Sequence, residues 1–469
     1  MEDIGLCYMP ATALAAAIRA KRLSPVEVVD AVLARIERLN PSLNAYCTVT
    51  AEAARASARA AEAAVMGGGP LGPLHGVPVS IKDLVITKGI RTTWGSKIHE
   101  HVVPEEDAPL VERLKAAGAI ILGKTNTPEY GWTAETDNRV FGPTRNPWDG
   151  ARSAGGSSGG AGAAVAAGLG PLAVGTDGGG SIRIPGAFCG IFGFKPSFGR
   201  VPVYPASAAE TLTHAGPMAR TVRDAAVMLA VMAGPDERDR NSLPADGTDY
   251  PGALGDGIRG LHVAWSPDLG YALVDPAVRG SCAAAARAFE GIGCRVEEAS
   301  PGFADPSEAW STLFYGAIAA RLGPYLPQWR DRMDPGLVPL VEKGQGFTGV
   351  QFAEAGFRRA ALWDGVRRFF GIYDLMLTPT VAVPPLPLGQ TEDIEIAGQR
   401  VPRWQAFPFN LPFNLTGQPA ATVPCGWTET GLPIGLQIVG RRFADATVLK
   451  AAAAFEAARP WEGRRPPLG

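Results

Sequence analysis

Pro171-Leu172-Ala173-Val174-Gly175-Thr176-Asp177-Gly178-Gly179-Gly180-Ser181-Ile182-Arg183 is the stretch on which the fold turns. Residues 171–175 read as a buried strand and residues 185–192 as a helix. Between them three glycines precede a serine. Glycine lets the backbone turn sharply and approach a ligand closely. Successive N–H groups in such a loop can face one concavity, which suits a bound phosphate or a transient oxyanion. A serine at the end of a strand, beside such donors, is well placed as a nucleophile. A second cluster, Gly155-Gly156-Ser157-Ser158-Gly159-Gly160, lies just upstream.

Outward from this glycine-dense zone (residues 151–199), strand and helix signals alternate. Residues 76–84 read as a short strand, 109–117 as a helix stopped by Gly118, and 119–122 as an apolar run of strand length. That order points to an α/β sheet with helices on its faces. Further strand signals fall at 261–265, 375–377, 420–424 and 436–439. Upstream, Ser24 caps a helix, Pro25 takes its first turn and Glu27 closes a capping box. Val28, Val29, Val32, Leu33 and Ile36 then share one helical face. An Ala-rich helix over 51–66 ends at the glycines of 67–70. Residues 306–370 read as mainly helical, with a Thr348-x-x-Gln351 capping box. Asp445 starts a last helix, Pro460 follows its end, and 464–469 reads as a loose tail.

Composition narrows the class. The chain has 469 residues, 46% hydrophobic and 19% charged, so whole-chain disorder is excluded. Forty-four basic against 46 acidic side chains leave a net charge of −2, without the positive excess of a nucleic-acid binder. The six cysteines, Cys7, Cys47, Cys189, Cys282, Cys294 and Cys425, form no C-x-x-C pair. Met1-Glu2-Asp3 is acidic with no apolar run behind it, so no signal peptide is expected. Residues 161–174 are too short and too rich in Ala and Gly for a membrane span. A soluble, cytoplasmic enzyme with no nucleic-acid or membrane partner is the expectation.

Several chemistries compete for the serine clusters. Flexible linkers would lack the flanking apolar elements. A phosphate loop would need G-x-x-x-x-G-K-[ST], or G-x-G-x-x-G after a strand, and neither occurs. Gly156-Ser157-Ser158-Gly159-Gly160 does match G-x-S-x-G, but the residues before it, Asn146-Pro147-Trp148-Asp149-Gly150, are turn-like where a hydrolase elbow needs a strand. A Ser-His-Asp triad needs a downstream histidine, and only His214 and His262 are available. That leaves lysine as a base. Val77, Val79 and Ile81 share one strand face, Ser80 and Lys82 the other. Two readings of Lys82 stand: an edge-strand lysine that blocks aggregation, or a buried neutral amine whose pKa falls from ~10.4 to about 7 by desolvation.

Taken together, the chain resembles the amidase signature hydrolases. The resemblance rests on Gly76-Val77-Pro78 with Ile81-Lys82-Asp83, on residues 155–160, and on residues 175–183 with Pro185. Segments at 216–221 and 417–426 extend it over nearly the whole chain. It implies an α/β fold built on one central, twisted, mixed sheet surrounded by helices, in a single domain over 1–469. Within this domain 1–66 are N-terminal helices, 67–235 the signature core and 236–374 its continuation with a helical insert at about 306–370. Residues 375–458 supply the last strands and the C-terminal helix, and 459–469 the tail. The resemblance also implies a Ser–cisSer–Lys triad: Ser181 as nucleophile, Ser157 as bridging serine after a cis peptide, Lys82 as base and Ser158 as a supporting neighbour. The N–H groups of Gly178, Gly179, Gly180 and Ser181 would form the oxyanion hole. No metal or organic cofactor is implied.

Substrate choice is read from departures. Glutaminase subunits of tRNA amidotransferases hold the glutamine amino group with an acid that aligns here with Phe407, in an aromatic patch over 404–409. Gly131, Trp132 and Thr133 align with the family's acyl-pocket segment. Trp310, Phe314 and Tyr315 sit at near-helical spacing in the insert, as a lid or as core. The aromatics of 404–409 likewise either line a pocket or pack the core. The expectation is a stand-alone monomer or homodimer that cleaves small hydrophobic or aryl amides, and carbamates or esters that present the same carbonyl. The alternative is a glutaminase subunit that works only with partner chains.

Overall fold

The computed structural model describes residues 3–468; Met1 and Glu2, from the acidic N-terminal reading, and Gly469, the end of the tail, lie outside the described residues. In chain order the strands are β1 (Tyr46–Val49), β2 (Pro78–Lys82), β3 (Ile120–Thr125), β4 (Leu172–Asp177), β5 (Phe192–Lys195), β6 (His214–Ala219), β7 (His262–Trp265), β8 (Arg295–Glu298), β9 (Leu375–Pro379), β10 (Ile394–Ile396), β11 (Gln399–Val401), β12 (Ala420–Trp427) and β13 (Pro433–Gly440). β10 and β11 form a separate hairpin. The rest make one 11-stranded sheet in the order β1-β3-β2-β4-β6-β5-β12-β13-β9-β7-β8. β3, β2 and β4 run parallel, the middle from β4 to β9 is antiparallel, and β9, β7 and β8 are parallel again. This is the mixed, helix-wrapped sheet expected.

Parallel strands covered on both faces read as continuous apolar runs, not alternation. β2, β3 and β4 obey this, with every residue buried. The consequence for Lys82 is direct: β2 pairs on one side with β3 and on the other with β4, so the edge-strand reading fails. The helix Gly159–Ala166 packs beneath these strands and is also buried at every position. Its small residues are steric necessities. A Cβ on Gly160 would lie 2.3 Å from Asn126 N and 2.5 Å from Ala45 O, so the helix start could not seat there with any larger residue.

The Ser24 capping box forms as expected, on the helix Pro25–Leu43, and Thr348 with Gln351 caps the helix Gly349–Phe369. Two readings need correction, and one strand had not been read at all. The helix after Ser181 is Arg183–Cys189, and Phe192 belongs to β5. The His214–Ala219 segment is a strand despite Gly216-Pro217. The tail is packed: Pro466 is buried, the Arg465 guanidinium lies over the Tyr8 ring and Leu468 packs on a core cluster. Among the described residues no helix is long and apolar enough to cross a membrane.

Candidate active site

Lys82 ends β2, and its side chain is fully buried. Its Nζ lies within hydrogen-bond distance of Ser157 Oγ at 2.7 Å, Ser158 Oγ at 2.8 Å and Thr176 Oγ1 at 2.9 Å. Burial drives the Lys82 pKa far below the ordinary lysine range, and the Asp177 charge only partly opposes this. Three hydroxyls around one amine leave a neutral nitrogen able to donate to two and accept from the third. Ser157 follows a cis Gly156–Ser157 peptide. Ser158 is the N-cap position of the helix Gly159–Ala166, with no strand ahead of it, so the hydrolase-elbow alternative does not form.

Ser181 comes from the other cluster, in the loop that leaves β4. The loop is held from below by a buried ion pair. Asp177 Oδ2 accepts from Arg183 Nε and Oδ1 from Arg183 Nη2, both at 2.9 Å. Arg183 also donates to Gln437 Oε1 at 2.7 Å and Asn414 Oδ1 at 2.6 Å. Burial alone would raise the Asp177 pKa, but the Arg183 guanidinium outweighs it and holds the carboxyl well below the usual range. Every polar end of the pair finds a partner, which a buried ion pair requires. The same carboxylate corrects one expectation. Gly180 N–H donates to Asp177 Oδ1 at 2.7 Å and so is spent within the loop, not offered to a substrate. Gly180 has φ +117°, and a Cβ there would meet Asn410 at 2.7 Å. Of the four N–H groups expected to form an oxyanion hole, those of Gly178, Gly179 and Ser181 are not taken up by Asp177 Oδ1.

One pocket gathers the pieces. Ser157, Thr176, Gly178, Gly179 and Ser181 line it together with Gly131, Trp132, Thr133 and Phe407. Trp310 and Phe314 line it too, stacked at 4.6 Å between ring centroids, while Tyr315 turns to a neighbouring cavity. Trp310 Nε1 donates to Gly178 O at 2.9 Å, so the insert is bolted to the glycine loop. Among the described residues none that lines this pocket is charged. Phe407, buried against Phe188, stands both in the wall and in the core.

The histidines are elsewhere. His214 is buried beside Phe198, with Nδ1 facing the carbonyls of Leu212 at 2.9 Å and Asp177 at 3.2 Å. His262 sits at the start of β7, its Nε2 3.3 Å from Glu297. Sequence reading missed Thr176 as a partner of Lys82 and Asp177, Arg183, Asn414 and Gln437 as the loop's support. Thr176 carried one faint sign, a hydroxyl ending an apolar strand. Asn414 and Gln437 carried none, being more than 200 residues away in the chain from Arg183.

Mixed sheet, glycine loop and buried lysine–serine contact define the class: an amide hydrolase of the amidase type. The family model for amidases matches residues 27–449. An acylamidase of Rhodococcus erythropolis is 42% identical over 99% of this chain and 98% of its own length. The A-type subunit of the glutamyl-tRNA(Gln) amidotransferase from Moorella thermoacetica is 38% identical over 99% of both chains. Among solved structures, a bacterial aryl acylamidase of the amidase signature family superposes with TM-score 0.91 at 34% identity, over 98% of this chain and 99% of the other. The chain belongs to the amidase signature family.

Proposed function

We propose that the protein hydrolyses small hydrophobic or aryl amides through an acyl-enzyme on Ser181, and accepts carbamates and esters with the same carbonyl. The observation that carries this is the buried Lys82 amine 2.7 Å from Ser157 Oγ, on the floor of a pocket walled by aromatic rings and lined by no charge. Neutral Lys82 takes the Ser157 proton as Ser157 takes that of Ser181. The freed Ser181 oxygen adds to the carbonyl carbon, and the carbonyl oxygen, now negative, is held by the Gly178, Gly179 and Ser181 N–H groups. One such donor is typically worth ~3–4 kcal/mol of barrier. The relay returns the proton to the leaving nitrogen as its bond to carbon breaks. Water, deprotonated along the same path, then releases the acid and restores Ser181.

Glutamine fits this pocket poorly. Its ammonium would be desolvated with no carboxylate on the lining to meet it. An aryl group between Trp132, Trp310 and Phe407 would gain ~1.5–3 kcal/mol from burial. The test is a panel of p-nitroanilides, primary aryl amides, O-aryl carbamates and glutamine with the purified protein. Aryl substrates should exceed glutamine by at least ~10²-fold in kcat/KM, since 2.7 kcal/mol corresponds to that ratio. Equal values for glutamine and an aryl amide would instead favour a glutaminase subunit, the reading that fits the amidotransferase relatives.

A further inference from the structure

The pocket above Ser181 has a second arm. Leu84, Tyr130, Thr176, Ser207, Ala208 and Thr213 line both the pocket and an adjoining chamber. Trp132, Trp310 and Phe407 belong to the first space only. The chamber's own walls are apolar and aromatic, with Val85, Trp94, Leu110, Val203 and Tyr204 among them. Arg321 is the one charged side chain on its lining among the described residues.

Arg321 lies in the last turn of the helix Ser307–Leu322, exposed at the chamber's edge. Other cations of this region are engaged. Arg358 pairs with Glu308 of the same helix, and Arg330 with Glu342. Among the described residues no carboxylate pairs with Arg321. Its charge does reach inward: burial first, and Arg321 second, hold the His99 imidazole below its ordinary range. A cation in a last helical turn is favourable to the helix dipole whatever else it does. That alone does not account for an unpaired guanidinium at the edge of an apolar chamber that adjoins the pocket of Ser157 and Ser181.

We propose that this arm is a second substrate subsite, for an apolar or aryl substituent that ends in a carboxylate, and that Arg321 is its specificity-determining cation. A guanidinium offers a carboxylate two parallel N–H donors. The uncharged walls favour an apolar spacer between that carboxylate and the scissile carbonyl. The proposal rests on the amide-hydrolase reading and deepens it.

Matched amides that differ only in a terminal carboxylate or hydroxymethyl group test it. One set carries the group on the acyl side, the other on the amine side, both at low ionic strength. In at least one set the full-length protein should prefer the carboxylate member. Arg321→Gln should lower kcat/KM for that member roughly fivefold, the upper range for a partly exposed pair, mainly through KM. The hydroxymethyl member should stay within about twofold, which also shows that the variant folds. Added salt should shrink the wild-type preference, and Arg321→Glu should turn it towards an ammonium-ended analogue. If the carboxylate-to-hydroxymethyl ratio is the same in wild type and Arg321→Gln in both sets, Arg321 does not read the substrate and the proposal is wrong. If neither set is hydrolysed at all, the amide-hydrolase reading falls first and the subsite with it.

Discussion

Ser181 and Lys82 give the sharpest tests at the level of single residues. Ser181→Ala should cost ~10³-fold or more in kcat while the protein still unfolds at its normal temperature; a variant that keeps a tenth of the wild-type rate would mean that another nucleophile operates. Lys82→Ala should be comparably damaging, whereas His262→Ala, distant from the pocket, should leave kcat within a few-fold. The pH profile follows from burial. The relay needs the neutral amine, so the rate should rise with pH, and because burial lowers the Lys82 pKa the rise should be complete well below the ~10.4 of a free lysine. An inflection at that ordinary value would show a solvated amine. The same shift has a stability sign. Between the lowered folded pKa and the unfolded one, the unfolded chain binds the extra proton, so this group's contribution makes folding more favourable as pH rises. Lys82 and the two serine clusters each carried a local oddity, a lysine in an apolar strand or a serine among glycines, but it was the resemblance to the amidase signature hydrolases that joined Lys82, Ser157 and Ser181 into one site. Thr176 and the Gly180–Asp177 bond were invisible because a hydrogen bond to a neighbouring loop leaves no periodicity behind.

The loop from Asp177 to Arg183 is the element on which the site depends. Arg183→Met should leave the Asp177 carboxylate buried without its cation, a change that typically costs ~3–5 kcal/mol. Urea unfolding should show that loss, and unchanged stability would mean that Asn414 and Gln437 do not hold the loop through Arg183. Acid should expose the same dependence. Asp177 is held low, so its contribution is present above the unfolded carboxyl pKa of ~3.9 and fades as pH falls through the lower folded value. Elements were legible in proportion to how local their signals were. β2 and β4 were found from apolar runs, and the capped helices from their capping boxes. β6 was missed because Pro217 argues against a central strand. Pro217 stands opposite Val174 in the β4 ladder but outside the β5 ladder, which takes only Met218 and Ala219 of β6. β1 and β8 were missed as strands of only four residues, β8 with Val296 as its one apolar residue.

Across the whole molecule, no group of three or more His, Cys, Asp and Glu is disposed to hold a metal ion among the described residues. Exhaustive chelation should therefore leave the rate unchanged, and loss of activity restored by a divalent cation would point to a metal role that this chain's geometry does not suggest. The division of labour along the chain has a further consequence. Lys82, Ser157 and Ser181 all fall in residues 82–181, whereas Trp310, Phe314 and Phe407 arrive from the distant second half and touch the reacting loop chiefly through the Trp310–Gly178 bond. The 131–133 segment apart, reaction and recognition are thus inherited from different stretches of one polypeptide. Chimeras that exchange residues 303–411 with a relative, keeping the indole at 310, should trade substrate preference while retaining the nucleophile's reactivity towards a small activated ester, so new specificities can be recombined without rebuilding the chemistry.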